Sequence, residues 1–217
     1  MNGQQMAFEI DQLSLALNHQ PLFQPITMQL EPGDIATVMG PSGSGKSTLL
    51  AAISGTLPPL FKLSGDIRLH GQSLLTVPIE QRQVGILFQD DLLFPHLNLY
   101  QNLVFALPGG LSREQQRERI ASALGSAGLT GFEQRDVATL SGGQRARISL
   151  LRTLLAEPRL ILLDEPFSKL DQHLRGQFRD WVFGRILELG IPALMVTHDP
   201  ADRPDQGQLI ELETAHA

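Results

Sequence analysis

The sequence predicts an α/β fold built around a parallel β-sheet, and two observations lead to that class: a succession of strand, glycine loop and helix, and a set of apolar runs that end at polar residues. Ile35–Met39 is a short apolar run typical of a strand, a glycine-rich loop follows it, and residues 47–54 then read as a helix that ends at Gly55. Three further apolar runs along the chain also end at polar residues. In open α/β sheets such polar groups gather at the carboxyl edge of the strands, where ligands bind.

Composition limits the classes of function. The 217 residues can bury one substantial core with a smaller inserted subdomain. The net charge of −6 argues against a broad nucleic-acid surface, which would be basic. Because there are no cysteines, disulfides, Cys-ligated zinc and thiol catalysis are excluded. We expect no secretory leader in the first residues, and no apolar run approaches the roughly 20 residues that span a bilayer.

The remaining elements follow in chain order. Alternating segments at 8–17 and 26–30 predict an antiparallel β layer, and a further strand is expected at 66–70. An apolar run at 85–88 reads as a buried strand that ends at Gln89. Two more apolar strands are predicted at 160–163 and 193–196.

Two helices are predicted between these strands. Ser112 and Gln115 have the spacing of a capping box. The residues that follow them predict a helix with one solvent-exposed polar face and apolar residues at helical spacing. The second helix covers residues 141–155, and Pro158 enforces its end. We therefore expect one domain over 1–217, in which 1–89 and 158–217 form the β layer and core. Residues 90–157 form the helical subdomain.

The loop after the first strand fits the pattern G-x-x-x-x-G-K-[ST] in full. Its glycines allow backbone N–H groups to wrap closely around phosphate oxygens, and the following helix adds its positive end. Lys46 suits the β- and γ-phosphates, and the Ser47 hydroxyl suits Mg²⁺. A glycine-rich turn with a chance lysine is the alternative, and the strand and helix on either side argue against it. The predicted nucleotide-binding residues are Gly40, Pro41, Ser42, Gly43, Ser44, Gly45, Lys46, Ser47 and Thr48.

Polar residues at the ends of the other strands complete a catalytic hypothesis. Asp164 follows four aliphatic residues, as a Mg²⁺-binding carboxylate does, and Glu165 can polarise a water in line with the γ-phosphorus. His198 is a candidate γ-phosphate contact, and Gln89 can bond a water or a metal-bound oxygen. The alternatives are turn chemistry for the Asp-Glu pair, a structural histidine, and a hydrogen-bonding residue at a strand edge.

A second glycine-containing helix start lies far from the first loop. It consists of Leu140, Ser141, Gly142, Gly143 and Gln144. Ser141 reads as an N-cap and Gln144 as its capping-box partner. A helix start with two glycines also exposes N–H groups and a positive dipole end, which makes it a second phosphate site. This implies a phosphate that is bound to another copy of the chain.

Together these motifs resemble those of the ATP-binding cassette (ABC) ATPases over nearly the whole chain. That family is a P-loop NTPase (RecA-like) core with an antiparallel β layer and an inserted α-helical subdomain. By resemblance, residues 40–48 are Walker A, Gln89 the Q-loop, 140–144 the signature and 160–164 Walker B. Residues 168–171 with Asp171 are the D-loop, and His198 is the switch histidine. Residues 88–96 and 145–171 are similar to the ATPase subunits of bacterial binding-protein-dependent importers, with those for thiamine, polyamine, iron or sulfate nearest.

The resemblance implies the reaction and its partners. It implies Mg²⁺-dependent ATP hydrolysis, with Ser47, Gln89 and Asp164 at the metal and Glu165, His198 and Gln89 as catalytic residues. Two copies would form a homodimer when ATP binds. The dimer would bind integral membrane permease subunits and work with an extracytoplasmic solute-binding protein, and no nucleic-acid partner is expected. The subunit would be peripheral on the cytoplasmic side of the inner membrane and soluble when isolated.

Some residues of the helical subdomain are assigned by the same resemblance to a groove that receives a permease helix. They are Leu92, Leu93, Phe94 and Phe105, and the alternative for each is ordinary core packing.

The sequence also departs from the family pattern. The aromatic residue that usually stacks on adenine falls near Leu17, so ring stacking is lost. Beyond His198 the usual helix and hairpin are shortened, since Pro204 would disrupt a helix there. We expect no additional regulatory domain before the end at Ala217. Three other functions stay open: an exporter or lipid-extraction ATPase, a soluble non-transport ABC protein, and a regulator that binds nucleotide without hydrolysis.

Overall fold

The computed structural model describes residues 6–213, without the side chain of His173. The first five residues, for which no leader was expected, and the last four lie outside the described residues. In chain order the elements are β1 Phe8–Leu17, β2 Gln20–Pro21, β3 Ile26–Leu30, β4 Ile35–Met39, α1 Lys46–Ser54, β5 Phe61–Leu69, β6 Gln72–Ser73, β7 Val84–Leu87, α2 Leu99–Val104, α3 Arg113–Ser126, α4 Gly142–Leu155, β8 Leu160–Asp164, α5 Gln172–Leu189, β9 Ala193–Val196 and β10 Leu209–Glu211.

The chain divides into two compact units. Unit 1 comprises the residues up to Ile86, residues 159–165 and the chain from Phe183 onward, and unit 2 comprises residues 87–158 and 166–182. Residues 166–182 fall in unit 2, although the sequence placed them in the core. The domain boundaries of 1–89, 90–157 and 158–217 stay a prediction.

Unit 1 contains an antiparallel sheet in which β1 is the shared strand. It pairs with β2, β3 and β5, and β5 continues to β6. Alternate residues of β3 are buried and exposed, the pattern of a strand with one face on a core. The β layer predicted at 8–17 and 26–30 is confirmed, whereas the strand expected at 66–70 begins earlier, at Phe61.

The second sheet of unit 1 has the strand order β10-β4-β9-β8-β7. Strand β4 pairs in parallel with β9 and β10, and β9 pairs in parallel with β8. Strands β4, β8 and β9 are buried over almost their whole length, as strands covered on both faces are. The α/β class predicted from the sequence is therefore confirmed. Past His198 the chain makes one short 3₁₀ turn, Pro200–Asp202, and then the three-residue strand β10.

Each unit has its own apolar core. In unit 1, Leu49 and Ile53 of α1 are fully buried in a cluster with residues of both sheets. In unit 2, α2, α3 and α4 bury a second cluster, which includes Ile120, Leu124 and Ile148. No helix among residues 6–213 has the length and apolar character needed to cross a bilayer.

Candidate functional site

Register places the ends of three strands side by side at one edge of the parallel sheet. Val196 of β9 lies opposite Val38 of β4 on one side and Asp164 of β8 on the other. The Glu165 N–H donates to the Val196 carbonyl at 3.0 Å, which extends this register by one residue. Because neighbouring strands lie about 4.8 Å apart, the ends of β4 and β8 are separated by roughly 10 Å. The glycine loop, the Asp164-Glu165 pair and His198 are therefore gathered at one edge.

The glycine loop closes around the Lys46 side chain. Lys46 is only 9% exposed, and its ammonium donates to the carbonyl oxygens of Gly40, at 2.7 Å, and Pro41, at 2.9 Å. Helix α1 starts at Lys46, after Gly45 at a φ of 96°, and no side chain caps that start. The orphan N–H groups of the first turn and a buried cation thus lie at the same point.

Two observations test whether the loop fits a phosphate. The Ser44 hydroxyl is fully buried and has no hydrogen-bond partner among the described residues, a costly condition that an added acceptor would relieve. At Gly43, with a φ of 83°, no atom lies within 4 Å of where a Cβ would stand, so the backbone there is open to a ligand. The loop therefore fits a phosphate group.

A metal would need partners beyond the protein. No group of three or more His, Cys, Asp or Glu side chains within residues 6–213 could hold a metal ion by itself. Mg²⁺ is usually bound by one or two protein oxygens together with waters and substrate phosphates. The exposed Ser47 hydroxyl and the Asp164 carboxylate could supply that small number of oxygens.

The electrostatics of Asp164 favour a nearby cation. Burial raises the pKa of Asp164, the negative charge of Glu165 raises it further, and the positive charge of Lys46 opposes both effects. The ionised carboxylate is thus destabilised in the folded chain. A divalent ion beside it would offset that destabilisation.

Glu165 is held in an unusual backbone conformation. Its φ of 45° lies in the left-handed region, which is costly for a residue with a Cβ and often accompanies function. One carboxylate oxygen, Oε1, lies 3.1 Å from Nδ1 of His198. The structure therefore pairs the predicted water-activating carboxylate directly with the predicted switch histidine.

A buried pair fixes the turn that carries His198. The Thr197 hydroxyl donates to Asp202 Oδ2 at 2.7 Å and accepts the Asp199 N–H at 3.1 Å. Both Thr197 and Asp202 are almost fully buried. Sequence reasoning did not identify Asp202, since nothing in the local pattern distinguishes it from a surface aspartate.

The far end of α1 is secured by a residue that the sequence also did not reveal. Arg82 donates from Nη1 to the carbonyls of Ala52, at 3.0 Å, and Ile53, at 2.8 Å, and from Nε to the Val77 carbonyl at 2.9 Å. A cation at a helix C-terminus satisfies orphan carbonyls and complements the dipole. Arg82 thus stabilises the helix whose other end forms the phosphate loop.

The predicted signature residues, Gln89 and Asp171 lie in unit 2. Ser141 caps α4: its hydroxyl accepts the Gln144 N–H at 3.3 Å, and the Gln144 side chain accepts the Ser141 N–H at 3.0 Å. The predicted capping box is confirmed, and Ser141 and Gly142 remain exposed. Gln89 is exposed and lines a cavity of about 250 Å³, together with Gly142. Asp171 accepts the Leu174 N–H at 3.0 Å.

The four apolar residues assigned to a permease groove differ in burial. Leu93 is buried in the core of unit 2, so core packing is its role. Leu92, Phe94 and Phe105 are 53%, 42% and 69% exposed. The Phe94 and Phe105 rings lie 5.6 Å apart, which makes them one exposed aromatic pair.

Leu17, the predicted adenine neighbour, ends β1 in unit 1. It is half-buried and lies opposite Phe61 of β5. The turn that follows holds Asn18 and His19 at φ values of 49° and 67°.

Comparison with known proteins identifies the family. Residues 23–168 match the ABC transporter family. An uncharacterised ABC transporter ATP-binding protein of Escherichia coli (strain K12), YnjD, is 46% identical over 94% of this chain and 94% of its own length. The spermidine/putrescine import ATP-binding protein PotA of Mesoplasma florum is 40% identical over 80% of this chain. The Fe(3+) ions import ATP-binding protein FbpC 2 of Haemophilus influenzae is 36% identical over 94% of it.

These relatives differ in length from the chain. It spans 49% of the Mesoplasma protein and 61% of the Haemophilus protein, but 94% of the Escherichia protein. The residues matched to the family include the phosphate loop, the carboxylate pair and the capped glycine helix start. The chain belongs to the ABC transporter family and is similar to ATP-binding proteins of importers.

Proposed function

We propose that the chain is the Mg²⁺-dependent ATPase subunit of a membrane importer, which dimerises on ATP and powers a permease. One observation carries the proposal. Among residues 6–213, one phosphate loop with a buried lysine lies in unit 1, and a second glycine-containing helix start lies in unit 2, which contains no such loop. Two copies arranged head to tail would each complete the other's site.

The residues of unit 1 have distinct roles in hydrolysis. Lys46 and the N–H groups of α1 hold the β- and γ-phosphates, and the Ser44 hydroxyl gains an acceptor. Bound Mg²⁺ would neutralise charge that develops on the phosphates, with Ser47, Asp164 and, by resemblance, Gln89 at the metal. Glu165 orients a water toward the γ-phosphorus and takes its proton.

His198 holds the Glu165 carboxylate in place through the contact at 3.1 Å, and by resemblance it would also contact the γ-phosphate. Ser141, Gly142 and Gly143 would contact the γ-phosphate of the partner copy, with Leu140 and Gln144 holding the helix start. Asp171 would lie near the dimer boundary, as the D-loop does in the family.

The exposed aromatic pair supports a membrane partner. Phe94 and Phe105, with Leu92, present apolar surface on unit 2 that would receive a helix of an integral permease. Relatives named as import ATP-binding proteins support import and an extracytoplasmic solute-binding protein. The subunit would then lie peripherally on the cytoplasmic side of the membrane.

A hydrolysis-slow variant tests the dimer. Glu165→Gln keeps the size of the side chain but removes its basicity, so we expect turnover to fall about 10²- to 10⁴-fold. ATP binding should persist, and analytical ultracentrifugation with Mg²⁺-ATP should show a dimer. Glu211→Gln, at an exposed residue of β10, is the matched control. A Glu165→Gln protein that stays monomeric with ATP bound would contradict the proposal.

The import function requires a separate experiment. We expect the tagged chain, purified from membranes, to bring down integral permease subunits and to hydrolyse ATP faster when a solute-binding protein is added. Purification of the chain without any membrane subunit would instead favour a soluble ABC protein. Stimulation of ATP hydrolysis by a solute on the cytoplasmic side would favour an exporter.

A further inference from the structure

Three basic side chains hold the segment that follows Gln89. The Asp91 carboxylate accepts a hydrogen bond from Nε of Arg145 at 2.9 Å. Arg152 donates to the backbone carbonyls of Asp91, at 3.1 Å, and Leu92, at 2.7 Å. Asp90 forms an ion pair with Lys169. All of these residues belong to unit 2, so the two consecutive aspartates are fixed within one compact unit.

Arg145 connects this segment to the start of α4. While its Nε bonds Asp91, its Nη1 donates to the Leu140 carbonyl at 2.8 Å. Arg145 directly follows Gln144, the last residue of the signature. Because the guanidinium is planar and rigid, its two bonds fix the Leu140 carbonyl relative to the Asp91 carboxylate.

Stability alone does not account for this arrangement. The Arg145 and Asp91 side chains are 37% and 35% exposed, and ion pairs as exposed as this contribute little to stability. Leu92 also has a φ of 46°, which is costly for a leucine. The segment is therefore held in a specific conformation that it would not adopt without its partners.

We propose that Asp91 is a positioning residue, which acts through Arg145 to place the signature residues 140–144 for the ATP of the partner copy. A displacement of residues 90–92 would thereby move the phosphate-binding start of α4. The inference rests on the proposed function and adds to it a defined ionic connection between the Gln89 segment and the signature.

The first test separates positioning from folding. Asp91→Asn removes the charge but little volume, and we expect kcat to fall about 2- to 30-fold, the range of energetic coupling between connected residues. ATP affinity should be unchanged, since the phosphate loop lies in unit 1, and Asp91→Glu should restore turnover. The control, Glu157→Gln, breaks the Arg119–Glu157 ion pair in the same unit and should leave kcat unchanged. An equal loss in the control would overturn the inference.

The second test uses mixed dimers, isolated through two different affinity tags. Lys46→Ala disables the phosphate loop but leaves the signature intact. An Asp91→Asn subunit paired with a Lys46→Ala subunit should be as active as wild type paired with Lys46→Ala, because the defective signature faces a dead loop. The double variant Asp91→Asn/Lys46→Ala paired with wild type should show the full loss.

The reverse order of these activities would mean that Asp91 acts on its own subunit's nucleotide, and the inference would be wrong. A different result identifies failure of the proposed function itself. If wild type paired with Lys46→Ala yields no isolable ATP-dependent dimer, then the shared site does not exist.

Discussion

The starts of helices α1 and α4 are both flanked by glycine, but only the start of α4 has a side-chain cap. Ser141 and Gln144 close the start of α4 with a capping box, as Asn98 and Ser112 do with their own partners at α2 and α3. Helix α1 starts after a left-handed glycine, and no side chain caps it. Its first turn is accompanied instead by a buried lysine and an unpartnered serine hydroxyl.

The difference shows what distinguishes a binding site from a well-formed helix start. A capping box satisfies the orphan N–H groups from within the chain and recurs at helices with no predicted ligand. An uncapped start beside a buried, unpartnered hydroxyl requires a ligand for its full stability. These features of α1 support the phosphate site that we propose there, whereas the role proposed for α4 depends on a second copy.

The largest effect is expected at α1. Lys46→Ala removes a charge-assisted contact to phosphate, worth about 1.5–3 kcal/mol, so ATP affinity should fall about 10- to 100-fold. Calorimetric titration with ATP measures this directly. Lys62→Ala, which removes the same charge from an exposed position on β5, should leave the affinity unchanged. Equal affinities for Lys46→Ala and wild type would remove the lysine from the phosphate site.

The two capped serines sharpen the comparison. Ser112→Ala and Ser141→Ala each remove one N-cap and should each lower the free energy of unfolding by about 1 kcal/mol. Only Ser141→Ala should also reduce the ATP turnover of the dimer. Urea unfolding and steady-state hydrolysis, measured on both variants, separate the two effects. Equal turnover in the two variants would reduce the α4 start to a structural cap.

Sequence reasoning succeeded where the signal was local. The strand at Ile35–Met39, the end of α1 at Gly55 and the Ser141 cap each depend on a few consecutive residues, and all three are confirmed. Arg82 and Arg145 were missed, because each acts on backbone or side chains about 30 to 50 residues away. Adjacent Leu92 and Leu93 show the same limit, since only the packed structure decides which one is buried.

The next prediction concerns the stability of unit 1 without Mg²⁺. Because burial raises the pKa of Asp164, the folded chain binds more protons than the unfolded chain between the ordinary value of 3.8 and the raised one. Wild-type stability should therefore fall as pH rises through that window. Asp164→Asn, which cannot ionise, should be more stable than wild type at neutral pH, and its advantage should shrink toward pH 3.8.

Urea unfolding at several pH values, with Asp205→Asn as the exposed control, tests this prediction. A wild type as stable as Asp164→Asn at neutral pH would contradict the destabilised carboxylate. Added Mg²⁺-ATP should reverse the order, because the wild-type carboxylate offers the metal a negative charge and the asparagine amide only a neutral oxygen.

The smallest effect is expected at Leu17. An aromatic residue there would gain about 0.5–1.5 kcal/mol by stacking on the base, so Leu17→Tyr should bind ATP about 2- to 10-fold more tightly. Wild type should discriminate poorly between ATP and GTP in competition binding. Leu17→Ile keeps the apolar contact and is the control. Strong preference for ATP in wild type would show that other residues select the base.

The central claim is that each reaction centre takes its phosphate loop from one copy and its signature from the other. The most direct measurement mixes Lys46→Ala subunits with Ser141→Arg subunits, each inactive alone, and records ATP hydrolysis by the mixed dimer. The account predicts that activity returns, because one of the two sites then has an intact loop and an intact signature. A mixture as inactive as either parent would contradict it.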